Sequence, residues 1–76
     1  MSDNLPQSIG EILRGDNSNR GFRHVTSEGA SITVGVADDP NAKGGKYVSV
    51  TDDEGRKRTI VYCSRCCCVI KDTGWN

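Results

Sequence analysis

The sequence has few of the residues that build a large apolar core or an enzymatic site. Aromatic residues make up 5% of the 76-residue chain, hydrophobic residues make up 34%, and histidine occurs once, at His24. A chain this short buries only about 60% of the surface that it exposes when unfolded. We therefore predict one small domain over residues 1–76, whose core needs a supplement such as a metal ion, a crosslink or a partner chain.

Long apolar runs and an excess of one charge are also lacking. No segment approaches the roughly 18 apolar residues of a membrane span, and residues 1–6 lack the basic and apolar regions of a secretory signal. Ten Lys and Arg residues balance ten Asp and Glu residues, which argues against a surface built wholly for nucleic acid or anionic lipid. We expect a soluble, cytoplasmic protein without a membrane partner, whose cysteines are thiols or metal ligands.

A catalytic constellation is missing as well. No spacing of Asp or Glu residues indicates a catalytic pair of carboxylates. No Gly-rich phosphate loop lies between a strand pattern and a helix pattern. A nucleophilic or redox thiol is expected at a helix N-terminus or beside a base, whereas the cysteines here follow a strand pattern. We therefore predict that the protein is not an enzyme.

One helix pattern and several strand patterns are present. Ser8 and Glu11 have the spacing of a capping box, and the apolar positions up to Gly15 fall on one helical face. Alternation and turn residues predict strands over residues 20–26, 30–36, 46–51, 56–62 and 68–71. The fold class is α+β and β-rich: a small antiparallel meander sheet or a five-stranded barrel with one short N-terminal helix. We predict flexible tails over residues 1–7 and 72–76.

All four cysteines lie between Cys63 and Cys68. The Cys63-x-x-Cys66 spacing lets two thiolates point at one ion from a single turn. A strand followed by this spacing resembles half of a zinc-ribbon knuckle, although knuckles usually place glycine after the second cysteine, where this chain has Cys67. We predict Cys63 and Cys66 as zinc ligands and Cys67 or Cys68 as the third. The fourth is His24 or a residue of a second copy, which would make the protein a homodimer.

Two other interpretations of the cysteine cluster stay open. In the first, the thiols are buried small hydrophobes, because free cysteine is among the most buried residue types. In the second, they are S-acylated, for which no amphipathic or membrane-adjacent segment is present. Four cysteines in six positions favour zinc over either alternative.

Two basic regions supply candidate nucleic-acid contacts. Alternation places Arg56 and Arg58 on one face of a strand and Lys57 on the other, while the acidic run at residues 52–54 can neutralise them across the turn. The earlier region includes Phe22 as a ring on which a base can stack. The candidate residues are Arg20, Phe22, Arg23, Arg56, Lys57, Arg58 and Arg65.

Together these observations predict a non-enzymatic binding or regulatory module that docks on another macromolecule, with a protein as the first expected partner. A single small domain without a catalytic constellation is typical of inhibitors and modulators encoded by bacteriophages and other mobile elements. A nucleic-acid-binding module is the first alternative, and a thiol redox sensor is the second. Trp75, the sole tryptophan, is expected either to fold back onto the sheet or to anchor a partner.

Overall fold

The computed structural model describes residues 4–15, 19–26, 29–41 and 44–75. The elements in chain order are α1 (Leu5–Gly15), β1 (Gly21–Val25), β2 (Ser31–Asp38), β3 (Gly45–Asp52), β4 (Lys57–Cys63) and β5 (Val69–Asp72). The strands form one antiparallel sheet in the order β1-β2-β3-β4-β5. The predicted β-rich α+β fold is confirmed, and of its two forms the open meander sheet is the one present. Within the described residues, no helix has the length and apolarity needed to cross a membrane.

One face of this sheet carries the core. The register pairs Val34 with Val50 and Val48 with Ile60, so alternate residues of the strands share a face. These four side chains are at most 1% exposed, and they pack with Leu5, Ile9 and Leu13 of α1 in one cluster. Burial of each such side chain stabilises the fold by about 1.5–3 kcal/mol. We call this helix-packed side the covered face and the other side the open face.

The helix begins at Leu5, before the predicted capping box. The backbone N–H of Ser8 donates to the Asn4 carbonyl at 2.9 Å, so Ser8 lies within the first turns. The predicted start at Ser8 and Glu11 is therefore wrong. Leu5 is 6% exposed, and its burial extends the helix, because packing of an apolar face contributes more to a short helix than its local signals do.

The C-terminal segment packs against the sheet. Trp75 is half-buried against the core cluster, and its ring centre lies 5.4 Å from the Arg56 guanidinium carbon and 5.6 Å from that of Arg58. The Thr73 N–H donates to the Thr59 carbonyl at 3.0 Å. Of the predicted tails, residues 5–7 are thus helical and residues 72–75 contact the sheet, while residues 1–3 and 76 lie outside the described residues. Trp75 folds back onto the sheet, as one of its two interpretations predicted.

Helix α1 approaches the turn after β4 closely at Gly10. A Cβ atom at this position would lie 2.9 Å from the Cys67 carbonyl oxygen, so the approach requires glycine. The Tyr62 hydroxyl donates to the backbone of the first helical turn at 2.6 Å, and Arg14 donates to the Cys66 carbonyl at 3.2 Å. These contacts fix the helix against the turn that holds the cysteines.

Candidate functional site

The open face carries three cations that make no ion pair with any residue that the structure describes. Arg23 is opposite Thr33, and Lys57 is opposite Thr51 in the same row, while Lys71 is opposite Val61. On β1 and β4 these positions alternate with residues of the covered face, and all three cations are exposed. None of the ion pairs in the described part of the chain involves them. Among the strand residues that the structure describes, the open face therefore has a net positive charge.

The acidic residues of the strands belong to the other side of the sheet. The register pairs each of them with a covered-face residue. They are Asp38, Asp52 and Asp72. In the strands that the structure describes, the open face thus has no carboxylate.

An aromatic ring and several hydroxyl groups lie among these cations. Tyr47 is between Ala37 and Val61 in the open-face rows and is 39% exposed. Arg23 and Lys57 are three strands apart, which is about 14 Å at the usual strand spacing. The small open-face side chains between and beside them are Thr33, Ser49, Thr51 and Thr59. The open face is thus mainly polar and cationic, with one exposed ring beside Ala37 and Val61 and an exposed valine, Val25, on β1.

Charges on the covered face are paired. Arg58 is 5% exposed; its Nε donates to Asp72 Oδ1 at 2.8 Å, and its Nη2 donates to the second oxygen of that carboxylate. These hydrogen bonds hold the pKa of Asp72 below its ordinary value. Lys46, 9% exposed, donates to Asp38 at 2.9 Å and likewise lowers the pKa of that carboxyl. Burial requires such partners, because an unpaired charge there would lose its hydration without compensation.

The β3–β4 turn contains the third pair. Asp52 is 8% exposed, and burial alone would raise the pKa of its carboxyl. Hydrogen bonds from the Arg56 side chain at 2.6 Å and from the Arg56 backbone N–H at 2.7 Å outweigh burial, so the pKa is lowered. The predicted neutralisation of the basic triplet by residues 52–54 is thus seen for Arg56. Arg58 pairs with Asp72 instead, and Lys57 has no carboxylate partner among the described residues.

The predicted nucleic-acid residues are divided between the two faces. Arg23 and Lys57 lie on the open face, whereas Arg56 and Arg58 lie on the covered side, as the alternation predicted. Phe22 is opposite Val34 and packs against the core cluster. The structure therefore does not offer Phe22 as a stacking ring, because β1 turns this side chain towards the covered face.

Two further predicted contacts lie outside the strands. Arg20 precedes β1 and is exposed, and its carbonyl accepts a hydrogen bond from the Val36 N–H at 2.9 Å. Arg65 is exposed in the turn after β4. Neither belongs to the rows of the open face.

Tyr47 and Lys71 were missed by the sequence analysis. The signal for Tyr47 was present, because it alternates with the core residues Val48 and Val50 and must therefore face the opposite way. Lys71 could not be assigned in the same manner, since the pairing of β5 shifts between Val61 and Tyr62. Such a bulge changes which residues face which side.

The second candidate site is the cysteine turn, which we define as residues 63–68. The backbone N–H groups of Cys66 and Arg65 hydrogen-bond the Cys63 sulfur and, together with the Cys66 thiol, lower the pKa of Cys63. The pKa of Cys66 is raised, first because its thiol hydrogen-bonds that of Cys68. The Cys68 thiol also contacts the Cys66 carbonyl at 3.7 Å.

Two predicted ligands are not brought to these thiols. Cys67 is 7% exposed within the core cluster, and its φ of 55° turns its side chain away from the outer side of the turn. His24 is opposite Ile32 on the covered face of β1, whereas Cys63 is opposite Gly45 at the open-face parity of β4. The two strands are about 14 Å apart, which is too far for one ion whose bonds are about 2–2.3 Å long.

The donor set fits half of a zinc site. Sulfur ligands at Cys-x-x-Cys spacing suit zinc, and the left-handed Cys67 occupies the position where knuckles usually have glycine. However, no group of three or more His, Cys, Asp or Glu side chains is arranged to hold a metal ion within the described residues. The thiols of Cys63 and Cys66 would therefore hold zinc only with ligands from elsewhere.

A groove of 390 Å³ separates helix α1 from the cysteine turn. Its walls include Gly10, Glu11 and Arg14 on the helix and Cys67 and Cys68 on the turn. Val69 at its end is 44% exposed, and the neighbouring Ile70 is 60% exposed. The groove has both charged and apolar walls and points to no single ligand chemistry.

The open face and the cysteine turn are thus the two surfaces on which this chain concentrates chemistry. No protein-family model, curated protein or solved structure matches the chain.

Proposed function

We propose that this protein is a non-enzymatic binding module that holds single-stranded nucleic acid on the open face of its sheet. The observation that carries the proposal is the separation of charge between the two faces. Arg23, Lys57 and Lys71 lie on the open face without an acidic neighbour in the described strands. Cations of this kind neutralise phosphates, which supply most of the sequence-independent affinity for nucleic acid.

Tyr47 favours a single strand over a duplex. Its ring is 39% exposed among the cations, and the bases of a single strand are free to stack on such a ring. Stacking contributes about 1–3 kcal/mol per base and tolerates any base. The hydroxyl groups of Thr33, Thr51 and Ser49 add donors for phosphate and sugar oxygens.

A second copy of the chain is a poor occupant of this face. Two open faces stacked together would bring cations against cations without a carboxylate to separate them. A protein partner fits less well too, because protein interfaces have apolar cores anchored by aromatic or Arg residues. Apart from the row of Ala37, Tyr47 and Val61 and the exposed Val25, the open face has small polar side chains and cations. Nucleic-acid interfaces are more polar and more positive than those between proteins.

The proposal is tested by fluorescence anisotropy with a labelled, mixed-sequence DNA strand of about 15 nucleotides. We expect binding that weakens with salt, with a slope of log K against log salt of about −2, because each of three neutralised phosphates contributes about −0.7. An acidic peptide of equal charge serves as competitor. It should displace the strand weakly, since it offers no bases to Tyr47.

Substitutions on the two sides of the sheet localise the binding. Lys57→Gln should weaken binding by about 0.5–1 kcal/mol and reduce the salt slope by about 0.7. Arg14→Gln is the matched control, because it removes the same charge from α1. Tyr47→Leu should cost about 1–3 kcal/mol of binding free energy, whereas Tyr47→Phe should bind nearly as the wild type does.

Three results would contradict the proposal. The first is no binding at about 50 mM salt. The second is an equal loss of affinity in Lys57→Gln and Arg14→Gln, which would mean that net charge acts without a defined surface. The third is equal displacement by the acidic peptide, which would make an acidic protein segment the better partner.

A further inference from the structure

The cysteine turn is held in shape by backbone hydrogen bonds before any ligand is present. The Cys67 N–H donates to the Cys63 carbonyl at 2.8 Å, and the Cys63 N–H donates to the Cys68 carbonyl at 2.9 Å. The Ser64 N–H donates to the Gly44 carbonyl at 2.8 Å, which ties the turn to the start of β3. Cys63 and Cys66 lie within this one turn at Cys-x-x-Cys spacing. The backbone frame therefore holds both cysteines at the end of β4 before any ligand binds.

A structural zinc ion requires four ligands in a tetrahedron. In the described residues, one chain supplies no group of three suitable side chains. Cys67 is committed to the core, and His24 lies on the opposite face of a distant strand. The pair of Cys63 and Cys66 is therefore half of a site.

The other half can come from a second copy, because the turn is accessible. Cys66 and Arg65 are exposed and Cys63 is half-buried. Four thiolates around one Zn²⁺ have a net charge of −2, and the Arg65 side chains of two copies would balance it. Two identical turns thus supply the four sulfur ligands and the two Arg65 cations that balance their charge.

We propose that Cys63 and Cys66 of two copies together bind one zinc ion and so join the copies at the cysteine turn. The zinc would be structural, because all four positions are filled by protein sulfur. Cys68 lies outside the ligand set, although its thiol neighbours Cys66. The site lies at the end of β4 and includes none of the residues proposed to bind nucleic acid, so this inference and the proposed function stand or fall separately.

Native mass spectrometry of the reduced full chain, titrated with zinc, tests the inference. We expect a dimer that holds one zinc ion, and a return to monomer when a strong chelator is added. Cys66→Ser should abolish both the zinc and the dimer. Cys68→Ser is the matched control and should retain both.

Thiol footprinting gives a second readout if Cys66→Ser fails to fold. Zinc should protect Cys63 and Cys66 of the wild-type protein from alkylation and leave Cys68 reactive. A complex of one zinc ion with one chain that depends on Cys68 would overturn the shared site. A chain that binds no zinc, or that dimerises equally with chelator present, would overturn it as well.

Discussion

On the covered face of the sheet, Lys46 and Arg58 each contact a carboxylate, whereas on the open face Arg23, Lys57 and Lys71 contact none among the described residues. The difference follows first from burial, because a charge withdrawn from water must be paired. Exposed cations need no partner for stability. Acidic cross-strand neighbours would nevertheless not lower the stability of the fold, and they would add solubility. Their absence from the open-face strands is therefore informative about a ligand, while the pairs of the covered face are informative about folding.

The largest expected effect comes from breaking a covered-face pair. Arg58→Met keeps much of the apolar stem but removes the guanidinium that binds Asp72 and lies 5.6 Å from the Trp75 ring centre. Losing one partner of a largely buried pair leaves the other without compensation, so we expect a loss of about 2–4 kcal/mol in unfolding free energy. Urea denaturation followed by Trp75 fluorescence measures it.

Lys57→Met is the matched control for Arg58→Met, since the two residues are neighbours that face opposite sides of one strand. A substitution at an exposed position away from such contacts should change the free energy of unfolding by no more than about 0.5 kcal/mol. If the two substitutions lower the free energy of unfolding equally, the paired charges of the covered face do not contribute more to stability than the cations of the open face.

A smaller effect is expected from acid. The pKa values of Asp38, Asp52 and Asp72 are lowered below the ordinary 3.8. Carboxyl groups with lowered pKa values contribute stability above pH 3.8, and this contribution is lost as the pH falls through their folded-state pKa values. The protein should therefore lose stability progressively below about pH 4.

Asp72→Asn isolates one of these groups. At neutral pH we expect a loss of about 1–2 kcal/mol, because the Arg58 cation loses its carboxylate partner and keeps only a neutral amide as hydrogen-bond acceptor. The difference from the wild type should narrow as the pH falls below 3.8, since protonation of Asp72 has the same consequence. Thermal melts between about pH 2 and pH 7 measure this dependence. A difference that stays constant across the range would show that the pair does not act through its charge.

Much of the fold could be predicted because its local signals agree with its packing. Val34 and Val36 alternate with small or polar residues, and residues 52–55 form the expected turn between β3 and β4. The helix start was missed because Ser8 and Glu11 mimic a cap, although Asn4 followed by Pro6 and Gln7 is also typical of a helix start, and the burial of Leu5 supports that earlier boundary. Sequence spacing contains no information about that tertiary contact.

The candidate sites were predictable only in part. Alternation correctly separated Lys57 from Arg56 and Arg58, since it depends on strand geometry alone. The partner of Arg58 was not predictable, because Asp72 reaches it from β5 through a shifted register. The burial of Cys67 in the core was also not predictable. It depends on a left-handed φ of 55°, a conformation in which glycine is the usual residue and which a cysteine does not indicate.

Binding of nucleic acid to the open face can be mapped by following backbone amide shifts by NMR during titration with the labelled single-stranded DNA. We expect residues of the open face, such as Thr33, Tyr47 and Thr59, to shift together in one saturable process. Helix α1, on the other side of the sheet, should change little. Shifts concentrated on α1 and the groove beside it, with the open face unchanged, would show that the open face does not bind the DNA strand.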